Sequence, residues 1–217
     1  MFAWWLVLLA PVLALPPAWW VSSRGYRLDD DVVYRPLPAW LLPVIVLVGS
    51  VLAAPFYLGR PTVIIVTYAL ALVWGGLLAL IDLDVRRLPD VLTLPAYPVA
   101  AVLLTVCSAV VGDWEALARA AACAGLAVVL FTVIALVGAG SEGLGLGDVK
   151  LVGVLAGLLG WYGWTNAVLG VATGCVLGGL VAVALLVSGR AGRGSHVAYG
   201  PVLIAGAYVW AVLPPVG

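Results

Sequence analysis

Charge is what this 217-residue chain has least of: only 9% of its residues are Asp, Glu, Lys or Arg. Water-soluble domains carry about 25%. With 65% hydrophobic residues, the composition excludes an ordinary soluble fold and predicts an integral membrane protein. The few charges balance, ten basic against ten acidic, so nothing suggests nucleic acid or an acidic partner. Three cysteines are present, Cys107, Cys123 and Cys175, each inside an apolar run and none in a CxxC or Cys/His cluster. Neither a zinc site nor a disulfide framework is indicated, and all three are expected to be buried as small hydrophobes. His196 is the single histidine, beside Ser195 in a loop, without the nucleophile elbow or acid partner of a serine hydrolase. No metal ligand set and no cofactor motif is visible. The first apolar run lacks a basic leader, so it reads as a helix that stays rather than a cleaved signal peptide. The longest polar stretch, residues 22–38, is too short and too poor in apolar residues to bury a core. Its Asp29, Asp30 and Asp31 read as a solvated face.

Long apolar runs take the place of charge. A helix needs about 20 apolar residues to cross the hydrocarbon core of a bilayer. Eight such spans are predicted, at 1–21, 39–58, 61–82, 91–112, 116–139, 149–163, 166–188 and 200–216. The fold class is therefore an all-α polytopic bundle forming a single membrane domain over residues 1–217. Pro11, Pro16, Pro17, Pro95 and Pro98 fall inside spans and predict kinks, because neighbouring helices satisfy the freed carbonyls. Trp4, Trp5, Trp19, Trp20, Trp40, Trp161, Trp164 and Trp210 lie near span ends, as an interfacial belt requires. One set of connections holds Arg24, Arg27, Arg35, Arg86, Arg87, Lys150, Arg190 and Arg193; the other holds Arg60 and Arg119. This asymmetry places the first set in the cytoplasm and both termini outside.

In so uncharged a chain each acid near the membrane needs a reason. Asp113 and Glu115 open the fifth span, where acids complement the helix dipole. Asp84 has Arg86 and Arg87 nearby for a solvent-exposed pair of little worth, and Asp90 follows Pro89 at a helix start, a position suited to both residues. Glu142 reads as solvated. Asp82 ends an apolar run, at the unfavourable end of a helix dipole, and is left without such an explanation. Asp148 closes the stretch GLGLGDVKL from Gly143 to Leu151, which also holds the only lysine, Lys150. It has one structural reading, as N-cap of a helix beginning at Val149. That reading leaves the alternating glycines unexplained, since glycine loses the most backbone freedom on folding. A strand bare on one face lets another backbone come close, which suits a protein holding an extended peptide beside a carboxylate. The phosphate-loop pattern GxxxxGK[ST] is absent and GxGxxG is not met. If Asp82 and Asp148 meet, the two cannot both ionise cheaply. One then keeps a proton while the other activates water, which is metal-free aspartic-protease chemistry.

IDLDVRRLPDVLTLP together with GLGLGDVKL resembles the type IV prepilin peptidases, the bacterial branch of the GxGD aspartic proteases. In that family an aspartate after an apolar run lies eight residues before an Asp or Asn that follows a proline; Asp82, Pro89 and Asp90 match. The second catalytic aspartate closes GxGD, here Gly145, Leu146, Gly147 and Asp148, with the lysine of GDxK at Lys150. AYGPVLIAG, residues 198–206, is similar to the family's FGP segment. The resemblance implies Asp82 and Asp148 as catalytic residues, with Gly145, Gly147, Lys150 and Asp90 supporting them or contacting substrate. It also implies no metal or other cofactor, and prepilin or pseudopilin substrates cut at the cytoplasmic face of a bacterial plasma membrane. Bifunctional members carry a cysteine-containing cytoplasmic segment near the N-terminus. The corresponding loop here, 22–38, has no cysteine, so leader cleavage without N-methylation is expected. For Lys150 two roles stand open: favouring the ionised form of a nearby aspartate, or anchoring at lipid headgroups. A small polytopic transporter is the competing reading, since membrane carboxylates mark ion paths and interrupted helices line transporter sites. The clustering of acids at one set of edges and the lack of an inverted repeat count against it, and a non-catalytic scaffold leaves GLGLGDVK without a purpose.

Overall fold

The structure, a computed structural model, describes residues 4–24, 26–27, 37–57, 59–137, 145–189 and 198–213. These form ten helical segments and no strand: α1 (Trp4–Leu13), α2 (Leu15–Ser22), α3 (Leu41–Tyr57), α4 (Thr62–Val85), α5 (Asp90–Thr93), α6 (Ala96–Val111), α7 (Trp114–Val137), α8 (Leu146–Tyr162), α9 (Trp164–Val187) and α10 (Gly200–Val212). The fold is an all-helical bundle. Four stretches, Thr62–Val85, Asp90–Val111, Trp114–Val137 and Trp164–Val187, are long and apolar enough to cross a membrane. Pro11 and Pro98 lie inside continuous helices, but Pro16, Pro17 and Pro95 do more than kink. Ahead of Pro16 and Pro17 the helix is interrupted at Ala14, and at Leu94 and Pro95 it is interrupted again, so two expected spans are each divided into two segments. Physically, a proline removes one N–H and clashes with the preceding turn.

α8 is the centre of the bundle. Val149 and every residue from Leu151 to Trp161 are buried, the signature of a helix apolar on all sides. Its glycines set the distance to α7: a Cβ on Gly157 would meet Ala124 Cβ at 3.2 Å, and one on Gly160 would meet Cys123 Cβ at 2.6 Å. α9 presents Gly170, Gly174 and Gly178, four residues apart, to α10. A Cβ on Gly206 of α10 would lie 2.3 Å from the Gly174 nitrogen. In lipid, apolar side chains gain little by leaving the acyl chains, so close backbone approach of this kind supplies the packing. α4 joins three buried clusters, contributing Leu78 to the one around α8, Leu77, Leu80 and Ile81 to the one shared with α1, α2 and α3, and Ile64 and Tyr68 to a third with α6, α7 and the far end of α8.

α4 has 24 residues, about 36 Å of helix, and separates two chemically different ends. At one end lie Arg60, over the Tyr162 ring at 5.8 Å, and Arg119, donating to the Gly160 and Trp161 carbonyls at 2.8 and 2.7 Å. A cation there complements the C-terminus of α8. At the other end lie Arg27, Arg86, Arg87 and Lys150. Arg35, Arg190 and Arg193 are outside the described residues, as are Asp29, Asp30, Asp31, Glu142, Gly143, Ser195 and His196. Asp113 caps α7, its Oδ1 accepting the Ala116 N–H at 2.8 Å, the structural role expected of it. Two expectations are corrected. Cys107 and Cys123 are buried but Cys175 is exposed. Trp19, Trp40 and Trp164 are exposed as a belt would be, whereas Trp161 is buried and donates its indole N–H to Ser108 Oγ at 2.9 Å.

Candidate functional site

Asp82 lies in the last turn of α4, which continues beyond the expected end at 82 to Val85. The helix is closed by Arg86, whose left-handed backbone (φ 51) turns its N–H onto the Asp82 carbonyl at 2.8 Å. The Asp82 side chain is buried, 4% exposed. Its Oδ2 accepts the backbone N–H of Gly200 at 2.9 Å, and the Arg86 charge acts on it favourably. Gly200 is the first residue of α10. The carboxylate is thereby taken from the unfavourable end of its own helix to the favourable N-terminus of another. Only glycine fits at that contact, since a Cβ would stand 2.8 Å from Asp82 Oδ2.

Asp148 arrives from α8. The helix begins at Leu146 with Gly145 as its extended N-cap (φ −67, ψ 145), three residues ahead of the expected start. Asp148 is therefore not the N-cap. It is the third helical residue, and its carboxylate accepts back from the Gly145 N–H, one half of a capping box. The Asp82 charge acts on Asp148, and each carboxylate lies at the N-terminus of a helix, α10 or α8.

Gly147 has a use within the fold itself: a Cβ there would meet Leu88 Cβ at 3.1 Å, so this position lets α8 close on the chain's own α4–α5 connection. Gly145 is exposed, and among the described residues a Cβ there would meet only Asp148 Oδ2 at 3.5 Å and the Gly147 nitrogen at 4.0 Å. Lys150 Nζ pairs with Asp90 Oδ1 at 2.6 Å, and neither side chain is buried. Of the two roles open for Lys150, the contact observed is the one with a nearby aspartate; that aspartate is Asp90, so the pair ties α8 to the first residue of α5. Tyr97 adds a second tie, donating to the Lys150 carbonyl at 2.9 Å.

Asp84 is where the structure departs most from the sequence. It is 1% exposed, not in water. Arg27 donates to it from Nε (2.8 Å, Oδ2) and from Nη2 (2.9 Å, Oδ1; 2.6 Å, Oδ2), and the Tyr26 hydroxyl donates to Oδ2. Tyr26, Arg27 and Gly200 are the residues near the site to which the sequence reading assigned no role there. For Gly200 a signal existed in the tyrosine–glycine–proline triplet of residues 199–201; for the other two, local spacing carried none.

A cavity of about 120 Å³ lies elsewhere, between α3, α4, α8 and α10, lined by alanines, leucines, Tyr57, Tyr68 and Tyr208. All three hydroxyls are already donated to carbonyls, of Ala211, Leu158 and Gly49. It offers hydrocarbon contacts and no acid–base chemistry, so the carboxylate pair is the candidate reactive site. Among the described residues no group of three or more His, Cys, Asp or Glu gathers as metal ligands would.

A family model described as the type IV leader peptidase family matches residues 69–183, a little over half of the chain. A prepilin leader peptidase/N-methyltransferase of Pseudomonas putida is 36% identical over 157 residues, covering 65% of this chain and 49% of the relative. The chain thus spans about half the length of that curated relative. No solved structure matches.

Proposed function

This chain belongs to the type IV leader peptidase family, and from that premise we propose that it is a membrane-embedded aspartic endopeptidase that removes the leader from type IV prepilins or pseudopilins. Asp82 and Asp148 form the dyad. One carboxylate, ionised, takes a proton from water as the water oxygen attacks the scissile carbonyl carbon. The other, protonated, gives its proton to the carbonyl oxygen. Collapse of the tetrahedral diol breaks the C–N bond, and a dyad proton leaves with the new amine. Two carboxylates that act on each other's charge share one proton because joint ionisation is costly. The Gly200 and Gly145 N–H groups stabilise the charge that remains.

The observation that carries this reading is the convergence of two acids from separate motifs, each at a helix N-terminus, at one end of the bundle. The substrate class rests on the family and on the name of the Pseudomonas putida relative. The site faces the cytoplasm of a bacterial plasma membrane and both termini lie outside; the end bearing Arg27, Arg86, Arg87 and Lys150 supports that orientation. Residues 22–38 hold no cysteine, which supports cleavage without N-methylation within this single membrane domain. Gly147, Lys150 and Asp90 hold the two motif segments together, Gly145 caps α8 beside Asp148, and none of the four reacts.

The test is co-expression with prepilins of several classes, read as a mobility shift on leader loss. Wild type should cleave, and Asp82→Asn and Asp148→Asn, inserted at normal levels, should not. Cleavage by either variant at the wild-type rate would remove the dyad.

A further inference from the structure

The three-residue cluster of Asp84, Arg27 and Tyr26 takes no part in the chemistry above, yet it is the most heavily hydrogen-bonded carboxylate among the described residues. Asp84 is two residues beyond Asp82 on α4, about 200° around the helix, so the two side chains leave opposite faces. Asp82 turns to Gly200 of α10, and Asp84 turns to the segment that follows α2. The fork of Arg27 engages both oxygens of Asp84, Tyr26 is buried against Trp20 with ring centroids 5.9 Å apart, and Arg87 Nη2 donates back to the Tyr26 carbonyl at 3.3 Å. The connection is therefore closed in both directions.

α4 needs such a brace. Its last turn carries two buried carboxylates at the negative end of the helix dipole, and it is closed by Arg86, a side-chain-bearing residue in the left-handed region. Left alone, that turn favours fraying, and fraying displaces Asp82 from Asp148. A buried carboxylate is tolerated only with a well-formed partner, and a bidentate guanidinium supplies direction as well as charge. We propose that Arg27 and Tyr26 are positioning residues: acting through Asp84, they hold the last turn of α4 so that Asp82 faces Asp148. The proposal rests on the dyad reading. It places two residues outside the matched stretch 69–183 in the service of the site.

The experiment measures kcat and KM for cleavage of a purified prepilin by the purified full chain in lipid nanodiscs. Arg27→Gln should lower kcat on the order of 100-fold, the scale of a misplacement of about 1 Å, with KM little changed. Tyr26→Phe should lower kcat less. Arg27→Lys should recover part of the loss, and millimolar guanidinium should partly rescue Arg27→Ala. A purely structural role predicts instead a smaller folded fraction and no response to guanidinium. The double variant Arg27→Gln with Asp84→Asn removes both charges and leaves none buried unpaired, so it keeps the test open if Arg27→Gln fails to fold. Wild-type kcat in a folded Arg27→Gln or double variant overturns the proposal. Asp82→Asn and Asp148→Asn run alongside: if both are dead while the Arg27 variants are normal, only the positioning role fails. Active aspartate variants defeat the dyad itself.

Discussion

Gly200→Ala is the sharpest single-atom challenge to this site. The added methyl would stand 2.8 Å from Asp82 Oδ2 and 3.2 Å from its Cγ, where ordinary contact begins at about 3.4 Å. Asp82 is short, buried and held by one backbone donor, so it has little room to swing aside, and the strain must open the 2.9 Å hydrogen bond from Gly200. A hydrogen bond to a charged group contributes about 1.5–3 kcal/mol. Losing it where the dyad is set corresponds to roughly 10- to 150-fold in rate, at 1.36 kcal/mol per factor of ten. Gly200 does not have a left-handed backbone, so alanine imposes no dihedral strain, and the cost is that of the contact alone. The assay is the initial rate of prepilin cleavage by membranes containing equal amounts of wild-type and variant protein, with thermal denaturation in detergent as a check on folding. A folded Gly200→Ala that cleaves at the wild-type rate would refute the reasoning, because it would mean that neither the donor nor the close approach matters to Asp82.

Other perturbations separate packing from chemistry. Gly206→Ala should lower the thermal midpoint and weaken cleavage together, since its methyl would meet backbone atoms of Gly174 at 2.3 and 2.6 Å, and overpacking costs about 1–3 kcal/mol; an unchanged midpoint would contradict the α9–α10 packing. Lys150→Gln breaks a pair whose side chains are 29% and 60% exposed. Such pairs contribute about 0–1 kcal/mol, so cleavage should fall less than about fivefold, and a loss of several orders of magnitude would mean that Lys150 touches the substrate. Gly147→Val should reduce both stability and activity by pushing α8 away from Leu88, measurable as a lower denaturation midpoint; a variant of wild-type stability would show that the 3.1 Å approach is readily relieved.

The all-helical fold and the family were legible in the sequence, and the reasons are local. α4 was expected at 61–82 and spans Thr62–Val85; α9 was expected at 166–188 and spans Trp164–Val187. Apolar length is a one-dimensional property, and the helix ends are marked nearby by Pro61, Gly163 and Arg86. α8 was misjudged at its start because Asp148 has two ways of serving a helix N-terminus. As N-cap it would leave Leu146 and Gly147 outside, whereas as third residue it draws them in, and the choice depends on Gly147 finding Leu88. Asp84 was misjudged more deeply. Arg86 and Arg87 are its neighbours along the chain, but Arg27, 57 residues away, meets it across the bundle. The four-residue spacing of Gly170, Gly174 and Gly178 carried no reading in the sequence, because its meaning required the partner face of α10.

Sequence alone determined that this chain forms apolar helices, that its basic residues divide between two ends, and that two acidic motifs carry a family likeness. Each follows from composition or from residues within a turn or two of one another. Only the tertiary structure decided that Asp82 takes its hydrogen bond from Gly200, 118 residues away, that Asp148 lies within range of its charge, and that Arg27 holds Asp84 from behind. Those contacts depend on how closely helices approach, which is set by missing side chains at Gly147, Gly174, Gly200 and Gly206, and the absence of a Cβ acquires meaning only when another helix occupies the space.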